Sequence, residues 1–241
     1  MILPNKKDAI HRVWLYRILS AIYDNSFLAN ILYFKGGTAA TMRGFLDRFS
    51  VDLDFDFIGD DKDILTIRKE LEKIFKDLEL EIKDQSKIIP QYFLKYPNKD
   101  GERNTIKIDV ATFKIKANKY EQTRLIDIDR IATCQTIETM FANKLVAIID
   151  RYEQHNTIAG RDLYDIHYFF MEGFGYEKDV VKERRGVSVE KFLNELISFI
   201  DKKITNTVID QDLNTLLSPE KFMRIRNILK KETLMFLKNE L

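Results

Sequence analysis

Three aspartates, Asp52, Asp54 and Asp56, alternate with apolar residues over positions 51–57. A period of two predicts a β-strand with one apolar and one acidic face, on which neighbouring carboxylates lie about 7 Å apart. Such like charges repel one another, and a divalent cation relieves the repulsion. Carboxylate oxygens suit Mg²⁺, and two such ions about 3.5–4 Å apart can hold the attacking and leaving oxygens of an in-line phosphoryl displacement. An edge strand protected by charge against aggregation would show the same pattern.

A glycine pair lies just ahead of this strand. The apolar run 31–34 ends at Gly36 and Gly37, which predicts a buried strand and a tight turn. Thr38 is then expected to cap a helix over about 39–46 or to offer its hydroxyl to a phosphate. Glycines at a strand–helix turn let the backbone approach an anion closely. The turn alone is also typical of an ordinary connection, and it is not a Walker loop. Together with the acidic strand it predicts a phosphate cradle beside metal-binding carboxylates.

Asp109 is the natural third carboxylate. It lies in a strand-like run over 104–115, out of phase with the apolar residues of that run. If this strand lies beside the strand over 51–57, Asp109 would complete the metal site or help to deprotonate an acceptor hydroxyl. A solvent-facing strand residue would show the same pattern.

Lys144 lies on the apolar side of a helix predicted over 136–154, and Arg151 shares that side. A lysine in an inward face needs a partner or water for its charge, and a substrate phosphate would serve. A lysine whose ammonium group reaches solvent along the helix surface is the alternative.

Asp162 and Asp165 are three residues apart on the next predicted helix. One of them is expected to cap the helix or to pair with a base, and the other to bind Lys144 or Arg151. The histidines show no metal-ligand spacing and are treated as structural or solvent-facing: His11, His155 and His167.

The elements that must position these residues change character along the chain. Helical spacing of apolar residues predicts helices over about 6–23, 62–77, 136–154, 161–172, 188–203 and 219–238, and strand-like runs occupy 78–84, 88–96 and 104–115. This order predicts an α+β fold, in which a mixed β-sheet domain with flanking helices precedes a C-terminal helical bundle. We place the two domains at 1–125 and 126–241.

Composition limits the class of protein. A chain of 241 residues with 45% hydrophobic content can bury one large core or two modest ones. No run approaches the roughly 20 apolar residues of a membrane span, and the single cysteine, Cys134, suits a reducing compartment. We therefore expect a soluble cytoplasmic protein without a membrane partner. A net charge of +1 argues against a general polyanion-coating protein but allows a local basic patch.

The motifs resemble those of the AbiEii/AbiGii toxin family. Lys35-Gly-Gly-Thr-Ala, followed by Arg48-Phe-Ser-Val-Asp-Leu-Asp-Phe, is similar to its first motif, and the resemblance continues over 138–151 and 160–167. Members are nucleotidyltransferases of the DNA-polymerase-beta-like fold, often the toxin half of a bacterial toxin–antitoxin or phage-defence pair. Many carry a lysine where this chain has Arg161, so that position keeps the charge but not the side chain.

The resemblance implies a role for each matching residue. The triphosphate would be held by Gly36, Gly37 and Thr38, with Arg48 and Ser50 flanking the acidic strand for ion pairing or phosphate contact. The metal ion would be Mg²⁺, or Mn²⁺ in its place, held by Asp52 and Asp54, with Asp109 added as the third carboxylate. The catalytic set would be completed by Lys144, Asp162 and Asp165, so that the site draws on both halves of the chain. Asp56 lies outside the motif.

The expected reaction joins a nucleoside monophosphate from an NTP to an acceptor hydroxyl and releases pyrophosphate. Relatives suggest RNA as the acceptor, particularly the tRNA 3′ end, and an antitoxin as a protein partner. Basic residues that could receive RNA, or simply cover solvated helices, are Lys182, Arg184, Arg185, Lys221, Arg224, Arg226, Lys230 and Lys231. Two alternatives stay open: nucleotidyl transfer to a protein or small molecule, and a catalytically silent fold that binds an antitoxin or nucleic acid.

Overall fold

A seven-stranded mixed sheet organises the first part of the chain in the computed structural model, which describes residues 3–241. The strand order is β3-β4-β5-β2-β1-β7-β6. The strands are β1 Leu32–Lys35, β2 Asp52–Phe57, β3 Glu81–Gln85, β4 Gln91–Lys95, β5 Thr105–Ala111, β6 Tyr120–Leu125 and β7 Arg130–Gln135. The pairs β2–β5 and β1–β7 are parallel and the other pairs are antiparallel. The predicted α+β class with a mixed sheet is therefore confirmed.

Four α-helices accompany the sheet in the described part of this region: α1 Asp8–Asp24, α2 Ser26–Ile31, α3 Gly36–Met42 and α4 Ile64–Asp77, the last preceded by a 3₁₀ turn, Asp61–Asp63. Helix α1 contacts β2, β7 and α4. On β2, Leu53 and Phe55 are fully buried, while Asp52 and Asp54, which alternate with them, are partly exposed. Alternation along β2 therefore gives the sheet one core-facing side and one polar side, as the sequence predicts.

The second part of the chain is helical. Its helices are α5 Ile137–His155, α6 Gly160–Met171, α7 Lys178–Arg185, α8 Val189–Lys203, α9 Asn206–Leu213, α10 Pro219–Ile225 and α11 Leu229–Asn239. Helix α6 packs on α5, α9 and α11, and α8 packs on α5, α7 and α11. Fully buried apolar side chains, among them Leu163 and Ile166 of α6 and Leu196 of α8, form the core of this bundle.

Contacts divide the chain into two units. The first comprises residues up to Lys114 together with Tyr120–Gln135, and the second comprises Ile115–Lys119 together with Thr136–Leu241. The division falls after residue 135, ten residues beyond the expected boundary, because β7 pairs with β1 in the sheet. Among residues 3–241, no helix is both long and apolar enough to cross a membrane.

Several predicted elements need correction. Strands β6 and β7 were not predicted: β6 is polar on both faces and buries only its last residue, whereas β7 contains Ala132 and Cys134, which are buried. The short helices α7 and α9 were not predicted either, and the single helix expected over 219–238 is two helices separated at 226–228. Helix α3 begins at Gly36 rather than at 39, so Thr38 lies within the helix and does not cap it.

Candidate active site

Four polar side chains form a row across the polar face of the sheet. Asp54 of β2 lies opposite Asp109 of the parallel strand β5 and opposite Lys35 of the antiparallel strand β1. Gln91 of β4 lies opposite Asp109 on the other side. Paired residues project their side chains to the same face of a sheet, so the row reads Gln91, Asp109, Asp54, Lys35. The adjacency of β2 and β5 on which the interpretation of Asp109 depends is therefore found in the structure.

Negative charge is concentrated at the centre of this row. Burial of Asp54, together with the negative charges of Asp52 and Asp109, raises the pKa of the Asp54 carboxyl group to about 6, and the nearby charges of Lys35 and Lys107 only partly oppose this effect. A carboxylate in such surroundings is more stable with a cation beside it. The donor set thus has the chemistry of a metal-binding site.

Asp109 differs from the other two carboxylates because cations and amides of the protein already hold it. Lys107 Nζ lies 2.5 Å from Asp109 Oδ2, and Gln91 Nε2 donates a hydrogen bond of 3.1 Å to the same oxygen. Neither partner was singled out from the sequence, although Lys107 lies two residues before Asp109 and therefore on the same strand face.

The glycine pair gives the carboxylates their room. Gly36 has a φ of +77°, and a Cβ placed on it would overlap Asp54 Oδ2. A Cβ on Gly37 would lie 2.8 Å from Ser50 Oγ and 2.9 Å from Arg48 Nη2. Only glycine lets the chain turn at position 36 and approach the acidic strand this closely. The motif therefore has a direct structural reason in addition to any contact with a phosphate.

Thr38, Ser50 and Arg48 are buried beneath this turn. The Thr38 hydroxyl interacts with the backbone carbonyl of Asp52, at 2.5 Å, and with Ser50 Oγ, at 2.9 Å. Arg48 Nη1 donates to the carbonyl of Phe49, at 2.8 Å. These side chains tie helix α3 to the start of β2, and their contact with a nucleotide stays a prediction.

Asp56 has a different role from the other aspartates of β2. The residue is 5% exposed, and its carboxylate accepts hydrogen bonds from Lys35 Nζ at 2.6 Å, Gln135 Nε2 at 2.6 Å and Tyr120 Oη at 2.9 Å. With four of the sheet's strands joined through it, Asp56 is a structural carboxylate, which agrees with its place outside the family motif.

The second unit contains its own buried group of charges. Lys144 Nζ of α5 lies 2.8 Å from Asp162 Oδ1 and 2.9 Å from Asp165 Oδ2, both on α6. Arg151 Nε lies 3.3 Å from Asp162 Oδ2. Both aspartates bind Lys144, and α6 has Ala159 at its N-cap with no side-chain cap, so neither aspartate caps the helix. The inward face of α5 predicted for Lys144 is thus explained by a partner within the protein.

The ionisation of this group is strongly biased. Burial alone would raise the pKa of the Asp162 carboxyl group, but the charges of Lys144 and Arg151 outweigh burial and hold the pKa below its usual value. Asp162 therefore carries a negative charge at neutral pH, and Lys144 is held between two buried carboxylates with 19% of its side chain exposed.

The residues present fit a metal ion to a limited extent. Within residues 3–241 no group of three or more His, Cys, Asp or Glu side chains is arranged as a metal cluster. Mg²⁺, however, commonly takes one or two protein carboxylates and completes its shell with water and substrate phosphates. Asp52 and Asp54, on the same face of β2 and close to the Gly36 turn, meet that requirement.

Most of the basic residues considered for RNA binding have partners inside the helical unit. Arg184 and Arg185 bind Asp150, and Arg185 also binds Glu153 and Glu195. Partners also exist for Lys182, Lys221, Arg224, Arg226 and Lys230. Seven of the eight positions thus have a partner within the helical unit, although the pairs of Lys182 and Arg224 are exposed to solvent.

Comparison with known proteins assigns the chain to a class. Residues 17–226 match the family described as nucleotidyl transferase AbiEii toxin, type IV TA system. The protein is a nucleotidyltransferase, and with most of its length matched the chain belongs to the AbiEii toxin family, as its motifs indicate. A search of curated protein sequences gives no match.

Solved structures agree on the fold. The chain is similar to JHP933 from Helicobacter pylori, with a TM-score of 0.58 and 20% identity over 99% of this chain and 96% of that one. It is also similar to an antigenic nucleotidyltransferase-like protein from Paracoccidioides brasiliensis, with a TM-score of 0.51 and 15% identity over 87% and 96%. At these identities the likeness shows the fold alone.

Proposed function

We propose that this protein transfers a nucleoside monophosphate from an NTP to an acceptor hydroxyl with the help of Mg²⁺, and that the acceptor is RNA, at a 3′ end such as that of tRNA. The observation that carries the proposal is the close approach of Gly36 to Asp54 within a row of carboxylates. Because position 36 is glycine, the backbone of the turn approaches the Asp54 carboxylate directly, so a phosphate held by that backbone and a cation held by Asp54 would be neighbours.

In the proposed reaction, the acceptor oxygen attacks the α-phosphorus and a new P–O bond forms. The bond between the α-phosphorus and its bridging oxygen to the β-phosphate breaks, and pyrophosphate leaves. Asp109 accepts the hydroxyl proton. Most of the rate would come from positioning and from stabilisation of charge.

Each group of residues has a place in this scheme. Asp52 and Asp54 would hold Mg²⁺ with Asp109 beside them, and the bound ion would neutralise phosphate charge. The backbone of Gly36 and Gly37 would approach the triphosphate, while Arg48, Ser50 and Thr38 keep the turn in place through their buried contacts. Lys144, Asp162 and Asp165 would be the catalytic group of the helical unit, in which the two aspartates hold the Lys144 ammonium group in place.

RNA is proposed as the acceptor because the chain belongs to a family of type IV toxin–antitoxin toxins. The resemblance to that family implies an RNA acceptor. An antitoxin is the corresponding protein partner. One observation favours a second candidate, transfer to a protein or small molecule. Seven of the eight basic residues considered for RNA are engaged within the protein, which leaves fewer cations for phosphate contacts.

The test is a transfer assay with each labelled NTP, Mg²⁺ and total RNA. We expect label in the RNA fraction with the unmodified protein and none with Asp54→Asn. The matched control is Asp84→Asn, which removes an exposed strand aspartate outside the row and should leave transfer unchanged. Label only in protein or small-molecule fractions would exclude RNA as the acceptor. Cellular toxicity that survives Asp52→Ala with Asp54→Ala in a folded protein would show a silent binding fold.

A further inference from the structure

Phe113 stands apart from every other aromatic residue of the chain. The sequence has 17 phenylalanines, 10 tyrosines and one tryptophan, all within the described residues 3–241, and of these only Phe113 is exposed. Its exposed fraction is 60%. The fold thus buries or half-buries every other ring and leaves this one in water, where an apolar surface is unfavourable. Such a ring is available to a ligand.

Its position links it to the row of polar side chains. Phe113 follows the end of β5, the strand that carries Asp109. The ammonium nitrogen of Lys35 lies 5.8 Å from the centre of the Phe113 ring and 2.6 Å from Asp56 Oδ1. Lys35 is the residue opposite Asp54 and the one directly before Gly36. The ring therefore lies one side chain away from the site proposed for the metal and the triphosphate.

The segment that presents Phe113 is anchored. The neighbouring Lys114 donates a hydrogen bond of 2.7 Å from Nζ to the carbonyl of Gly59, and its ammonium nitrogen lies 5.6 Å from the centre of the Phe57 ring. Phe57 ends β2. Because an anchored backbone segment loses little freedom on binding, the position from which Phe113 projects suits a preformed contact surface.

We propose that Phe113 is the surface on which the base of the nucleoside triphosphate stacks. The inference rests on the proposed nucleotidyl transfer and adds to it the residue that binds the nucleoside. Every nucleobase has a flat apolar face that stacks on an aromatic ring. A phenyl ring has no hydrogen-bond donor or acceptor, so Phe113 contributes affinity for all four bases and no choice among them.

The test measures equilibrium binding to the full chain in the presence of Mg²⁺, with no acceptor. The ligands are the four NTPs and inorganic tripolyphosphate, which has the phosphates without a base. We expect Phe113→Ala to weaken NTP binding by about 5-fold to 150-fold and to leave tripolyphosphate binding unchanged. Phe113→Trp should keep NTP affinity, and its indole fluorescence should be quenched by NTP but not by tripolyphosphate. Ile126→Ala, which shortens another exposed apolar side chain of the sheet unit, is the control.

Unchanged NTP affinity in Phe113→Ala would overturn the inference. So would an equal loss for NTP and tripolyphosphate, since the ring would then act on the phosphate site. If Phe113→Ala binds NTP normally but shows a raised KM for RNA in the transfer assay, the ring contacts a base of the acceptor. That result would also overturn the inference. If the unmodified protein binds neither NTP nor tripolyphosphate, the proposed function itself fails, which is a different result from failure of Phe113 alone.

Discussion

Gly36 and Asp54 are so close that a methyl group on the α-carbon of Gly36 would occupy the place of a carboxylate oxygen of Asp54. Backbone and carboxylate are thus fitted to each other across the β1–β2 pair. The effect of this overlap can be separated from the effect of backbone strain by comparison with Gly44. Gly44 has nearly the same positive φ, +78°, but nothing lies within 4 Å of the position that its Cβ would take.

Gly36→Ala is expected to abolish nucleotidyl transfer, since the added methyl displaces Asp54. Gly44→Ala should lose about 1–2 kcal/mol of stability from the left-handed backbone but keep its activity. The measurements are denaturant unfolding and the NTP transfer assay. Equal activity of the two alanine variants would show that Asp54 does not need its observed position.

Thr38→Val should lower the free energy of unfolding by about 1–3 kcal/mol and reduce transfer. The variant keeps the side-chain shape but removes the buried hydroxyl that interacts with the Asp52 carbonyl and Ser50. Thr38→Ser retains that hydroxyl and serves as the control. A valine variant as stable and active as the serine variant would contradict the anchoring role.

Lys144→Met should lower the free energy of unfolding by about 3–5 kcal/mol, because the ammonium group that neutralises the buried Asp165 is lost and Asp162 keeps only Arg151. The control is Lys182→Met, which breaks an ion pair of similar length, 2.9 Å, to the exposed Asp179. That pair is screened by solvent, so no measurable change is expected. Unfolding midpoints that fall equally in both variants would refute the special role of the buried pair.

Lowering the pH should remove stability through His11. Burial lowers the pKa of His11 to about 4 in the folded protein, compared with about 6.5 in an unfolded chain. Between these values the unfolded chain binds the proton and the folded protein does not. Protonation of His11 in the unfolded chain therefore does not affect the free energy of unfolding above about pH 6.5. As the pH decreases to 4, it lowers that free energy by about 3 kcal/mol.

His11→Gln should flatten this dependence, while replacement of the exposed His155 by glutamine should leave it unchanged. The variants must be compared with the unmodified protein because Asp54 has a raised pKa. Protonation of Asp54 increases the free energy of unfolding as the pH falls over part of the same range. Unfolding curves at pH 7 and pH 4 supply the measurement. An equal pH dependence in the unmodified protein and His11→Gln would exclude His11 as the cause.

The local parts of the site could be predicted from the sequence because short-range patterns determine them. Alternation along β2 placed Asp52 and Asp54 on one face, and helical spacing placed Lys144 inward. The pairing of Lys144 with an aspartate of the next helix could also be predicted, but the other neighbours of the carboxylates on the sheet could not, since they depend on strand order. Lys35 meets Asp54 only because β1 pairs with β2, and Gln91 meets Asp109 only because β4 pairs with β5.

The missed strands have a similar physical explanation. Polar and charged residues occur on both faces of β6, so the strand has no apolar face. It is an edge strand, and its stability comes from pairing with β7. Periodicity of hydrophobic residues cannot detect such a strand. The role of Thr38 was misjudged for a related reason, since a threonine after two glycines is typical of a cap, whereas here the helix includes both glycines.

The segment Ile115–Lys119 belongs to the helical unit although the strands before and after it belong to the sheet. Within the helical unit it supplies the backbone N–H of Lys119 to Thr139 and two further N–H groups, at 116 and 117, to Glu183. The gene therefore encodes each unit in two pieces, and the polypeptide passes between the units at three points. A fragment that begins at Thr136 therefore lacks the segment Ile115–Lys119 and the three N–H groups that it supplies to Thr139 and Glu183, so the helices of the second unit are expected to be less stable alone than in the full chain.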